Sequence, residues 1–269
     1  MLTALLDRQP KHQFRRALVT GASRGIGAAL ARALPIETDL LITARNGADL
    51  AALAEGLAAP GRTIDTVVAD LASQDGRTAV IEAALRCDVD LIVNNAGLGH
   101  YGAFLERASQ EHETTIVVNA IAPVALASAL LPHMIEVAER CGQTCGLINV
   151  SSSAAFAPVP NFAVYAASKA FILSWTEALS AELADRPIAI LAFCPGAVRT
   201  SFGVSAGYQG GEMPGALDPD RAARAAVATL GRQRTLVLDP IAALPLSAAA
   251  LGRAAFAEAI QRGMRRFQR

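Results

Sequence analysis

Short apolar runs alternate with longer alanine-rich stretches along nearly the whole chain, and this alternation restricts the fold more than any other feature. Leu91-Ile92-Val93 is typical of the runs, apolar at every position, as a strand covered on both faces must be. Such runs separated by helix-length segments indicate βαβ units on a parallel sheet. The pattern predicts strands near 16–20, 39–44, 64–69, 89–93, 146–150, 188–193 and 235–238. Helices are predicted over 25–34, 47–58, 75–86, 109–141, 162–184, 219–230 and 247–267. The expected fold class is α/β, a doubly wound parallel sheet of about seven strands with helices on both faces. No linker, charge run, low-complexity tract or repeat divides the sequence, so one domain is expected over 1–269. Residues 1–14 read as an N-terminal extension, 240–269 as a tail, and the Gly/Pro-rich segment 195–218 as a long functional loop.

Composition removes several classes of function. Apolar residues make up 52% and charged residues 18%, enough for a large core and against disorder. Lys plus Arg and Asp plus Glu number 24 each, so no field of one sign gathers nucleic acid. Cys87, Cys141, Cys145 and Cys194 lack zinc-site spacing, and no metal is expected. They read as reduced thiols of a cytoplasmic protein. Met1–Leu6 has no basic region or cleavage site and does not read as a signal peptide. The stretch 114–135 is long enough to span a membrane, but it carries Asn119, Pro123 and Pro132 and is expected to be a helix buried in the core or at a subunit interface. Residues 241–252 are too short to span and are interrupted by Pro245; Arg253, Arg262, Arg265, Arg266 and Arg269 would also suit a membrane surface, but packing in an oligomer is the expected role.

Residues 20–27 read Thr20-Gly21-Ala22-Ser23-Arg24-Gly25-Ile26-Gly27, directly after a predicted strand and before a predicted helix. Glycine at 21 permits a tight turn, at 25 it lets backbone approach a pyrophosphate, and at 27 it allows close helix packing. The helix N-terminus adds free amides and partial positive charge for phosphates. Three glycines alone also suit a structural turn; the strand–turn–helix context is what points to a dinucleotide. Gly21, Ser23, Arg24, Gly25, Ile26 and Gly27 are therefore expected cofactor-binding residues. The second predicted strand ends Thr43-Ala44-Arg45, where NAD enzymes place an acid on the ribose 2′-hydroxyl. Arg45 with Arg24 would instead hold a 2′-phosphate, so NADP(H) is expected over NAD. Either arginine alone also fits a solvated surface charge.

Tyr165-Ala166-Ala167-Ser168-Lys169 puts a phenol and an ammonium four residues apart on one helix face. A free phenol ionises near ~10, and a fixed cation beside it favours the phenolate. Lys169 is thus expected to tune Tyr165 into an acid/base group. Ser152 lies thirteen residues earlier, just past a predicted strand, where its hydroxyl could hydrogen-bond a carbonyl oxygen. Ser151 and Ser153 read as ordinary turn serines.

The ordered motifs TGxxxGxG, Asn94-Asn95-Ala96-Gly97, the Ser152–Tyr165–Lys169 spacing and Pro195-Gly196 resemble those of the short-chain dehydrogenase/reductase family across residues 15–240. The resemblance implies a Rossmann-like fold, with 195–218 as its substrate-loop region. It implies that Asn119 completes a catalytic tetrad with Ser152, Tyr165 and Lys169 through a helix kink and a water relay, and that Lys169 also binds the nicotinamide ribose. A buried structural asparagine would occupy the same place. The resemblance further assigns cofactor contacts to Asp70, Leu71, Asn95, Ala96, Gly97, Pro195, Gly196, Val198 and Thr200; for Asp70 a turn-forming role fits equally. The implied reaction is hydride transfer between NADP(H) and an alcohol/carbonyl pair. Phe156, Val159, Phe162, Phe202 and Tyr208 are expected pocket walls for an apolar small-molecule substrate, and the long helices imply a homodimer or homotetramer. A non-catalytic NADP(H)-binding regulator on the same fold is the rival, but such proteins lose the tyrosine or lysine, and both are present here. An epimerase or dehydratase would need a larger C-terminal domain. His100 and Tyr101 could reach the cleft, though a surface role is the simpler reading of such a histidine.

Overall fold

The computed structural model describes residues 10–209 and 215–239 together with the single positions 252 and 255; the predicted helix over 247–267 lies outside the described residues apart from those two positions. The strands are β1 (Arg16–Thr20), β2 (Asp39–Ala44), β3 (Ile64–Val68), β4 (Leu91–Asn94), β5 (Cys145–Val150), β6 (Ile188–Pro195) and β7 (Thr235–Leu238). All pair in parallel in one seven-stranded sheet, ordered β3-β2-β1-β4-β5-β6-β7. The helices are α1 (Gly25–Ala33), α2 (Gly47–Leu57), α3 (Gln74–Arg86), α4 (Ser109–Ile116), α5 (Ala122–Cys141), α6 (Ala163–Glu182), α7 (Phe202–Ser205) and α8 (Pro219–Thr229).

Alternation along each strand builds two core layers. Val19, Ile42, Val93, Ile148 and Leu191 pack with α1, α2 and α8, while Leu18, Leu41, Ile92, Leu147 and Ile190 pack with α3, α5 and α6. Each such aliphatic side chain contributes ~1.5–3 kcal/mol on full burial, so the sheet is held from both sides. Caps fix where the helices begin. The Asn46 side chain accepts from Ala48 N and Asp49 N at α2, and Asp218 accepts from Arg221 N at α8, followed by Pro219 at a position that needs no donor.

Three features differ from the sequence expectation. β4 starts at Leu91 rather than 89 because Asp88 turns in the left-handed region, at φ 49°. The helix expected over 109–141 is interrupted by a π-helical turn at Val117–Ile121, and short 3₁₀ turns appear at Phe104–Glu106 and Ser153–Phe156. The loop after β6 contains its own turn, α7. Ser109–Cys141 is long and apolar enough to cross a membrane, yet more than half of its most apolar stretch is buried, against α6, α3 and the sheet.

The strand order reverses between β1 and β4, which pair with Ala17 opposite Leu91. At such a switch point the connections leave in opposite directions and open a crevice at the carboxyl ends of the strands. The glycine loop follows β1 and the Asn95-Ala96-Gly97 segment follows β4, so the two line that crevice.

Candidate active site

The glycine loop is locked to β4 by side chains that leave no room for larger residues. Gly21 sits at φ 63°, and a Cβ there would lie 2.8 Å from Ala96 Cα. A Cβ on Gly27 would overlap Gly21 O and Asn95 Nδ2. Asn95 Nδ2 donates to Thr20 O at 2.9 Å and Gly21 O at 3.1 Å, while Thr20 Oγ1 accepts from Asn95 N and Ala96 N. Asn95 therefore acts on the loop itself, and Thr20 is a supporting residue that the sequence reading passed over. Gly25, at φ 58°, faces Thr200, whose Cγ2 would be 3.3 Å from an added Cβ. Loop and Thr200 thus bracket a backbone-walled cradle at the N-terminus of α1, the shape and polarity that a pyrophosphate requires.

The other expected cofactor contacts fall into place unevenly. Ser23 and Ile26 line the same turn half-buried, and Arg24 and Arg45 are exposed at the ends of the loop and β2. Val198 bridges Leu217 through Ala197 O and Arg199 N, which leaves its own peptide groups facing the other way. Gly196 is required because a Cβ would meet Asp239 Oδ2 at 2.7 Å, and buried Pro195 ends β6 just before it. Asp70 accepts from Ala72 N at 3.0 Å in a turn, and the Leu71 side chain is buried in the core, so Leu71 has only backbone to offer a nucleotide.

Four side chains expected to act together do converge. Gly97 is the meeting point: a Cβ there would lie 3.4 Å from both Asn119 Oδ1 and Lys169 Nζ. Asn119, 1% exposed, sits in the π turn, where its amide donates to Leu98 O and Ser168 Oγ and its oxygen accepts from Leu98 N. Both N–H donors and the oxygen have partners, which offsets the cost of burying an amide. Lys169 Nζ donates to Val150 O at 2.9 Å and lies 5.8 Å from the Tyr165 ring centroid. Ser152 Oγ accepts from Ala154 N at 3.1 Å, and its hydroxyl lies close enough to the Tyr165 phenol to favour ionisation of that phenol.

The electrostatics reverse one expectation. Burial pushes the Tyr165 phenol up to about 12, opposed by the Ser152 hydroxyl. Burial also brings Lys169 down to about 8. The Lys169 ammonium keeps two donors beyond the one given to Val150 O, and burial is the larger effect on the phenol. Tyr165 is half-buried and keeps an edge toward the cleft.

Aromatic rings wall that edge. Phe162 stacks on Tyr165 at 4.3 Å between centroids, and Phe202 lies at 5.4 Å. Tyr208 meets Tyr101 edge-on at 5.2 Å, and Tyr101 meets Phe162 at 6.1 Å. Phe156 is packed instead against a small cluster with Leu173 and Cys194, and Val159 is half-buried. His100 reaches the cavity beside Tyr165, with Nδ1 3.1 Å from Thr115 Oγ1. Among the described residues no group of His, Cys, Asp and Glu is placed to hold a metal.

The chain matches the family model described as short chain dehydrogenase over residues 15–208. Oxidoreductase UcpA of Escherichia coli K12 is 32% identical over 197 residues, 72% of this chain and 73% of its own. A short-chain dehydrogenase from Sphingobium yanoikuyae in complex with NADPH superposes with a TM-score of 0.78 at 31% identity, covering 89% of this chain and 93% of that one. A 3-ketoacyl-(acyl-carrier-protein) reductase from Brucella melitensis complexed with NADH does so at 0.73 and 29%, covering 85% and 97%.

Proposed function

Because the chain belongs to the short-chain dehydrogenase family, and so to a family of oxidoreductases, we propose that it interconverts an alcohol and a ketone or aldehyde with NADP(H), Tyr165 serving as general acid/base. The observation that carries this reading is the convergence of Asn119 and Lys169 on Gly97, beside the Ser152–Tyr165 pair and across the switch point from the glycine loop. When bound, the nicotinamide supplies or accepts the hydride. Everything else falls to the chain. Ser152 donates a hydrogen bond to the substrate oxygen and holds it against Tyr165. In the reductive direction Tyr165 gives that oxygen its proton, and a phenol held near 12 by burial is fully protonated at neutral pH. Lys169 stabilises the phenolate left behind and offers donors to the ribose, while Asn119 holds the π turn and the Leu98 backbone against the helix that carries both. Orientation of this kind and proton transfer are each worth orders of magnitude in rate.

Gly21, Gly25 and Gly27 with Ser23, Ile26, Ala96, Gly97, Val198 and Thr200 would hold the dinucleotide, and Arg24 and Arg45 its 2′-phosphate. The aromatic walls at Phe162, Phe202 and Tyr208 suit an apolar substrate. Exposed Ile116, Ile121 and Phe171 support self-association as a dimer or tetramer, and the free cysteines agree with a cytoplasmic setting.

Purified protein scanned with NADPH and NADH against apolar ketones and aldehydes tests the reading. NADPH oxidation is expected, and Tyr165→Phe is expected to lower it by about 10²–10⁴-fold. Undiminished turnover in that variant would remove Tyr165 from the mechanism.

A further inference from the structure

Two serines that the chemistry above does not use grip the main chain of two residues that it does. Ser151, 2% exposed, donates from Oγ to Lys169 O at 2.7 Å. In the opposite sense Lys169 Nζ donates to Val150 O, so Lys169 is tied at both ends to consecutive residues at the end of β5. That strand end is itself fixed on β6 by Ser151 N donating to Phe193 O at 2.7 Å. Ser168, 5% exposed, donates to Tyr165 O at 2.7 Å and accepts from Asn119 Nδ2 at 2.9 Å. Each carbonyl lies in α6, where a backbone amide one turn on takes one lone pair; the hydroxyl takes the second. A hydroxyl bonded back to a carbonyl of its own helix slightly weakens that helix, so helix stability does not account for Ser168, and Ser151 lies outside α6 altogether. What they do share is direction: one link runs to β5 and the other to the π turn, and they land on carbonyls one turn apart.

We propose that Ser151 and Ser168 are positioning residues that fix the depth and roll of α6, keeping the phenol and ammonium in register with Ser152. The inference rests on the acid/base reading of Tyr165. Ser151→Ala and Ser168→Ala are each expected to lower kcat by ~10–100-fold, the effect of sub-ångström misplacement, with KM for NADPH and substrate nearly unchanged. Thr229→Ala is the control, since it removes a buried hydroxyl-to-carbonyl bond of 2.7 Å to Ala225 in α8, a helix that carries none of Asn119, Ser152, Tyr165 and Lys169. It is expected to keep kcat. A second readout needs no turnover: alkaline absorbance titration, with Tyr165 identified by difference from Tyr165→Phe. Both serine variants are expected to shift that ionisation, and Thr229→Ala to leave it in place. An unmoved phenol in both serine variants overturns the positioning role whatever the activity, and so does an equal loss of kcat in Thr229→Ala. Absence of wild-type turnover with every carbonyl, with the phenol still shifted by the serine variants, would instead count against the proposed reaction alone.

Discussion

Lys169 is 5% exposed, and its ammonium has a carbonyl oxygen rather than a carboxylate for company. Burial disfavours the charged form and holds its pKa at about 8, below the 10.5 of a free lysine. Between those two values the unfolded chain binds a proton that the folded chain has released, so this residue's contribution to stability rises with pH across the window. Measured against Lys169→Met, which cannot titrate, wild-type stability from urea melts should therefore improve from about pH 8 to about 10.5 and be flat below. A relative loss over the same range would reverse the assigned direction. Ser152, Tyr165 and Lys169 were legible in the sequence because chemistry and spacing specify them together. Ser151 was not. A hydroxyl facing the cleft and one facing a helix carbonyl look the same in a run of three serines, and a one-residue step along an extended chain decides which is which. The sign of the phenol's shift was also out of reach, since it depends on how burial competes with a cation whose partner only the fold reveals.

The glycine loop is the element whose tolerance is easiest to state. Its turn depends on left-handed backbone at Gly21 and Gly25 and on contact between Gly27 and the Gly21 carbonyl. Gly27→Ala forces α1 away from β1, at ~1–3 kcal/mol for overpacking, with loss of nucleotide affinity beyond what the stability change explains. Chemical melts and nucleotide titration on that variant read the two effects separately. The strand–turn–helix form of this element could be read directly, as could most strands, because full burial on two faces leaves unbroken apolar runs. The π turn could be expected only through the family resemblance, which implied a helix kink at Asn119. Val117-Val118-Asn119-Ala120-Ile121 contains neither proline nor glycine, and one extra residue in a helical turn leaves no mark in apolar periodicity. The lone amide in an apolar run was its only other signal, and that signal is shared by any satisfied core asparagine.

At the scale of the molecule, function comes from an order of strands that composition does not encode. Parallel strands of similar apolar sequence could pair in many orders; the reversal between β1 and β4 is what brings the loop after residue 20 beside the segment after residue 94. β5 and α6 then deliver Ser152 and Tyr165 to the same crevice from a neighbouring strand and helix. The motifs' sequence order pointed to a candidate site before the sheet order was known, but not to the Thr20–Asn95 lock that joins its halves. The exposed Arg24 and Arg45 flank the cradle from α1 and the end of β2. If they hold a 2′-phosphate, replacing both by alanine should cut the NADPH-to-NADH ratio of kcat/KM by at least ~10-fold, given about 1.5–3 kcal/mol for a hydrogen bond to a charged group. An unchanged ratio would place nucleotide choice elsewhere. The central claim is that Ser152 and Tyr165 act on one substrate oxygen in one step. Residues that act as a unit lose their effect together, so kcat for Ser152→Ala, Tyr165→Phe and the double variant tests it directly. The account predicts large losses in each single variant and a double variant little worse than the poorer of them; losses that multiply, or near-wild-type turnover without the phenol, would contradict it.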